Sequence, residues 1–318
     1  GQSEGMIAKE HPAPFREFGK ELASVIPPFT FWSLIRLGAG ARGVVTNLAM
    51  GAAIAGLAAL LIALVGQPTQ WISMAIGVFA VASWIQGLAL RDRPAFTMIY
   101  RSPAMVFGMA GFAWIGFITY GLGFWFPPFI IRAHEVSAGE AGRFLGLAAA
   151  IGGWTGVTGG GLISDWLKMR TPLARIYMGF LTIGLTLPVA LFVMTTGNVN
   201  LAYAGGFAYN LVSSMWIGSA VALSTELVLP RMRASATAFY ILMVTFIGLA
   251  LGPFTMGQIS DAFVRGGADP ADALRNGLMI GLLALVPAAL CLLLSARSLQ
   301  REENSRVERA REAGEPAL

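Results

Sequence analysis

"GGWTGVTGGGLISD", Gly152 to Asp165, crowds glycines into one stretch and ends on an acid. Two readings compete for it. A glycine-rich loop ahead of a carboxylate can cradle a phosphate beside a catalytic or metal-binding group. A helix with glycines along one side can instead press against another helix inside a bilayer. A phosphate loop needs a preceding strand and, in its P-loop form, a Gly-Lys-Ser/Thr ending. Neither is present in the sequence. On a helix, residues four apart share a face, so Gly152, Gly156 and Gly160 line one side of an apolar run. With no side chains there, a neighbouring backbone can come close and gain dispersion contacts. The packing reading is the better one.

The rest of the chain agrees. Of its 318 residues, 56% are hydrophobic and 12% charged, whereas a soluble domain carries about 25% charge. So little polar surface points to an all-α, polytopic membrane helix bundle. The single cysteine, Cys291, excludes a disulfide framework and a cysteine-based zinc site. His11 and His134 lie far apart, leaving no expected metal site and no cofactor. The net charge of +5 fits basic cytoplasmic loops better than a nucleic-acid partner.

A spanning helix needs about 20 largely apolar residues. Eight such runs are expected, near 44–66, 71–90, 104–131, 141–163, 174–196, 200–228, 236–259 and 277–296. The run at 104–131 contains Pro127 and Pro128, where a kink or an unwound outer end is expected. With the N-terminus inside, all of the 22 Lys and Arg except Arg132, Arg143, Arg265 and Arg275 fall on the cytoplasmic side. The positive-inside rule therefore predicts an integral membrane protein with both termini cytoplasmic. Residues 14–37 mix Arg16, Lys20 and Arg36 with Phe15, Phe18, Phe29, Phe31 and Trp32, which suits an interfacial segment broken at Pro27–Pro28. Residues 297–318 read as a charged cytoplasmic tail.

The end of the opening stretch adds a second clue. An Asp near a helix C-terminus is disfavoured by the helix dipole and needs a reason to be there. Gly161, then Asp165, then Lys168 and Arg170 resemble the major facilitator superfamily, whose signature loop reads Gly-x-x-x-Asp followed by basic residues. Trp166 stands where the first basic residue is expected. "LPRMRASATAFY" (229–240) and "GLALGPFTMGQISD" (248–261) are similar to later landmarks of the same family. "FWFPPFIIRAHEVSAGEAGRFLG" (124–146) looks like its spinster-like branch.

The resemblance implies a domain plan. Residues 1–43 would be a cytoplasmic linker with an interfacial segment, 44–90 an extra transmembrane pair, 91–296 the six-helix C-terminal bundle, and 297–318 the tail. Gly1 then falls near the linker after an N-terminal half, so the expected partner is that missing half or, failing it, a second copy as a homodimer.

The implied function is secondary active transport of a small organic or amphipathic solute, lysolipid or sphingoid-like in the spinster branch, by alternating access across a bacterial inner membrane. A non-transporting scaffold or accessory subunit is the alternative. No Ser–His–Asp order, metal spacing or paired intramembrane carboxylates appear, so an enzyme is not expected. Thr119, Tyr120, Phe124, Asn210, Ser214, Tyr240 and Thr245 are the substrate-cavity candidates, against ordinary interhelical packing. Glu226 is the one ionisable residue expected inside a span. It is a proton-coupling candidate, or an acid near the cytoplasmic end that pairs with Arg231 or Arg233. Gly161, Asp165, Lys168 and Arg170 would form a conformational latch. Asp261 repeats the Ile-Ser-Asp ending at the opposite surface, with no catalytic role assigned.

Overall fold

The computed structural model describes residues 29–315, together with Phe15 and Gly19. The expected break at Pro27–Pro28 and most of the interfacial segment lie outside the described residues. The chain divides into two compact units, Gly1–Phe96 and Thr97–Leu318. Among the described residues there is no β-strand.

In the first unit, α1 (Phe29–Arg36) exposes Phe29, Trp32 and Ile35 and buries Thr30 and Leu34. Arg36 lies over the Trp32 ring, 4.6 Å from its centroid. The chain then reverses at Gly38 and Gly40, whose φ angles of 81° and 60° suit glycine. Helices α2 (Gly40–Val65) and α3 (Pro68–Arg91) form a hairpin, with Pro68 opening the second helix. Few residues of this pair are buried, and Asn47 is the exception that ties it together. Its amide donates to Ser83 Oγ at 3.0 Å and Gln86 Oε1 at 2.9 Å, and Gln86 donates to the Gly43 carbonyl at 2.8 Å. In an apolar hairpin with little side-chain interlock, such bonds supply what packing does not.

Helix α4 (Arg93–Tyr100) carries the boundary between units. In the second unit, α5 (Pro103–His134) is the central element, with 67% of its most apolar window buried. Six helical runs follow the order α5; α6 (Ala138–Leu147), a π segment (Ala148–Gly152) and α7 (Gly153–Lys168); α8 (Ala174–Thr195); α9 (Val199–Ser214) with α10 (Trp216–Glu226); α11 (Arg233–Met243), a π segment (Val244–Ala250) and α12 (Leu251–Arg265); and α13 (Pro270–Gly281), a 3-10 turn and α14 (Leu285–Asn304). The short α15 (Arg306–Glu312) closes the described chain. Its core clusters Ile118, Leu122, Phe126 and Phe129 of α5 with Tyr209, Met256 and Leu278 from the helices around it.

Seven helical runs among the described residues are long and apolar enough to cross a membrane. The expected eighth, 141–163, is a helix that runs unbroken through α6 and α7. It is missing from the seven because glycines lengthen a helix without adding apolar surface. Nor does the outer end of α5 unwind at Pro127 and Pro128. It stays helical to His134, since two adjacent prolines remove only two amides from a helix that packing holds on its buried side.

Candidate functional site

The glycines of the opening stretch face α9 and α10. A Cβ on Gly156 would sit 2.1 Å from the Leu211 carbonyl oxygen, and one on Gly160 2.3 Å from that of Met215. Gly152 faces the Phe207 carbonyl in the same way, at 2.9 Å. Gly161 continues the contact, with its Cα 3.5 Å from where a Gly218 Cβ would be. Two helices thus meet backbone to backbone, which only missing side chains permit. One more turn brings Ser164 to α10, where Ser219 Oγ donates to Ser164 Oγ at 2.9 Å.

At this end of the bundle a polar network gathers around Arg175. The residue is the second of α8 and its side chain is 9% exposed. A cation in the first turn of a helix is opposed by the dipole, so it needs carboxylates, and it has two. Arg175 Nη1 donates to Asp165 Oδ1 at 2.7 Å and to Ser164 Oγ at 2.8 Å. Its Nη2 and Nε donate to Glu226 Oε1 at 2.7 and 3.1 Å. Lys168 reaches Glu226 Oε2 at 3.3 Å and both oxygens of Glu303 at 2.9 Å. Arg306 Nη1 donates to the Glu226 carbonyl at 3.2 Å. Four helices, α7, α8, α10 and α14, are cross-linked by charge at one face.

Two sequence expectations need revision here. Glu226 pairs with Arg175 and Lys168, not with Arg231 or Arg233. The chain turns at Leu227–Leu229, which carries Arg231 away to Glu315 and leaves Glu226 beside the first turn of α8. Arg170 is outside the network and stacks on Trp166, 3.9 Å from the ring centroid. Arg175 and Glu303 went unnoticed in the sequence. The signal for Arg175 was its place at the start of an apolar run, against the dipole. Glu303 gave none.

A second acid organises the same end of α5. Glu302 is 4% exposed. It accepts from Ser102 Oγ and, at 3.2 Å, from the Ala104 amide, and pairs with Arg309 at 3.2 Å. Ser102 in turn accepts from the Met105 amide at 3.1 Å. The free amides of the longest helix in the unit are therefore met by a carboxylate, which also suits the positive end of the helix dipole.

The cavity candidates separate into groups. Thr119 lies between helices: it donates to the Ser213 carbonyl at 3.0 Å and accepts from Trp216 Nε1 at 3.2 Å. Tyr209, next to Asn210, donates to the carbonyls of Ile118 and Thr119 at 3.0 and 3.2 Å. Asn210 donates to Gly206 of its own helix at 2.8 Å. Asn210, Ser214 and Tyr120 are half-buried, Tyr240 is buried, and Phe124 and Thr245 are exposed. The structure thus joins Thr119 to the α9–α10 seam and does not bring Phe124 or Thr245 into it. Away from all of these, a groove of about 470 Å³ between α8 and α13–α14 is lined by aliphatic side chains such as Leu187, Leu282 and Val286. Among the described residues no cluster of His, Cys, Asp and Glu could hold a metal ion.

Comparison with known proteins gives this architecture a family context. The solved structure of a bacterial homolog to the human lysosomal transporter Spinster, inward-facing and unoccupied, superposes with a TM-score of 0.58 at 20% identity, covering 89% of this chain and 74% of that one. The chain shares the fold of that solved bacterial structure. Its occupied counterpart superposes at 0.55 with 21% identity. In sequence, the chain is 27% identical over 212 residues to an MFS-type efflux pump of Mycolicibacterium smegmatis, which is 64% of this chain and 47% of the pump. It is also 27% identical over 180 residues to Protein spinster of Drosophila melanogaster and to Protein spinster homolog 1 of Homo sapiens, 52% of this chain in each case and 29% and 34% of those proteins. No family model matches the chain. The chain spans less than half the length of these curated relatives. It is an integral membrane protein whose relatives are transporters.

Proposed function

We propose that this chain is part of a secondary transporter that moves a small organic or amphipathic solute by alternating access. The observation that carries the reading is the Arg175 network at the end of a helix seated on glycines. Close, smooth helix contacts permit small displacements, and a charged clasp at one end favours one arrangement over another. In this reading Asp165 and Lys168, with Arg175 and Glu226, form the latch, and its end of the bundle faces the cytoplasm. Both oxygens of Glu226 meet cations, which favours a bridging role over proton coupling. Tyr120, Asn210, Ser214 and Tyr240 line the solute path. Thr119 holds it in shape, while Phe124 and Thr245 face outward to lipid or to another bundle.

The domain plan in this reading makes residues 44–90 an extra transmembrane pair and residues 91–296 the six-helix C-terminal bundle. An N-terminal half or, failing it, a second copy of this chain is the partner that completes the path. A bacterial inner membrane with both termini cytoplasmic fits the distribution of Lys and Arg.

The test is solute uptake or efflux in cells carrying the full-length gene product, with lysolipids and cationic amphiphiles as probes. Transport that falls for every probe in Asp165→Asn supports the latch. No transport of any probe by a folded protein would favour a scaffold.

A further inference from the structure

The runs α6–α7 and α11–α12 match one another. Ile151, Gly152, Gly156, Gly161, Ile163, Ser164 and Asp165 recur at one constant interval as Ile247, Gly248, Gly252, Gly257, Ile259, Ser260 and Asp261. The structure repeats with the sequence. Each run contains a π segment, and Ala148 and Val244, where the two segments begin, are matched positions. Two of the three matched glycine pairs also meet a neighbouring backbone alike. Gly152 and Gly156 face the Phe207 and Leu211 carbonyls of α9, while Gly248 and Gly252 face the backbone of Gly116 and Phe117 in α5, at 3.2 and 2.5 Å.

A π turn holds an extra residue and breaks the regular hydrogen-bond ladder, so a helix bends there at low cost. In the second run Pro253 adds to this by offering no amide to the Leu249 carbonyl. Glycine beside each π turn removes the side chains that would resist the bend. Successive runs alternate in direction, so these two are antiparallel, and each π segment begins about a third of the way along its run and ends near the middle. The two segments are therefore displaced from the middle of the bundle in opposite directions.

We propose that the two π segments are a matched pair of joints, one for each end of the bundle, about which the helix ends bend to open and close the solute path. This rests on the transporter reading above, and the mechanics can be tested without a solute. In the unmodified full chain in lipid nanodiscs, amides of 148–156 and 244–252 should exchange with deuterium about tenfold faster than those one turn away on either side. Equal protection overturns the proposal.

Removing one residue, Ala149 from the first segment or Phe246 from the second, restores α-helical spacing. On a Cys291→Ser background, reporter cysteines Gly139→Cys and Ala234→Cys mark the two ends for a membrane-impermeant maleimide. Each deletion should change labelling at its own end and leave the other end as it was. A folded protein in which both ends respond together, or neither responds, overturns the proposal. If a deletion does not fold, the exchange measurement on the unmodified chain decides. Failure of transport with these results intact would count against the transporter reading alone.

Discussion

Arg175 donates 2.7 Å hydrogen bonds to both Asp165 and Glu226, but the two acids sit in different surroundings. The Asp165 side chain is 70% exposed and that of Glu226 is 25% exposed. Water therefore screens the Asp165 pair more than the Glu226 pair.

The pairs should differ in what they contribute to stability. Glu226→Gln leaves Arg175 and Lys168 facing each other with less compensation, and loss of one partner from a largely buried pair costs about 3–5 kcal/mol. Asp165→Asn should cost about 0–1 kcal/mol, as an exposed pair does. Thermal unfolding in detergent should show a drop in Tm for Glu226→Gln several times that for Asp165→Asn. Equal drops would mean that Asp165 carries more of the network than its exposure allows.

Glycines in one stretch should respond oppositely. Gly156→Ala and Gly160→Ala drive a Cβ into the carbonyls of Leu211 and Met215, whereas an added Cβ on Gly159 meets nothing within 4 Å. Overpacking a tight interface costs about 1–3 kcal/mol. Gly159→Ala should leave stability unchanged or raise it slightly, because alanine is the better helix former. Melting curves of the three variants side by side make the comparison.

Thr119 offers a test by near-isosteric change. Thr119→Val keeps the shape but strips Trp216 Nε1 of its acceptor in a fully buried position. A buried donor left alone costs about 1–3 kcal/mol. Thr119→Ser should restore most of it. Tryptophan emission should shift in the valine variant and return in the serine one; an unshifted, equally stable valine variant would remove Thr119 from the seam.

Glu302→Ala should open the first turn of α5. It removes the partner of Ser102, the Ala104 amide and Arg309 together. Capping and dipole effects each amount to about 1–2 kcal/mol. Hydrogen exchange at residues 104–106 should rise while the middle of α5 stays protected.

Periodicity and composition made the spans legible, because apolar length and small-residue spacing are local properties of the chain. The bare face of Gly152, Gly156 and Gly160 was legible for the same reason. Pairing across helices was not. Glu226 had two arginines within seven residues, Arg231 and Arg233, yet took Arg175 from a helix 51 positions away. No local spacing encodes that choice; the turn at Leu227–Leu229 makes it. Nor could composition show that α5 would hold its helix through Pro127 and Pro128, since that depends on what surrounds it.

The bond between Ser102 and Glu302 joins residues 200 positions apart. During synthesis α5 must wait, with the Ala104 amide uncovered, until nearly all of the described chain has followed it out of the ribosome. A chain broken off anywhere between these two residues lacks the acid that finishes its own central helix. Closure of this helix end is thereby tied to synthesis of the chain as far as Glu302.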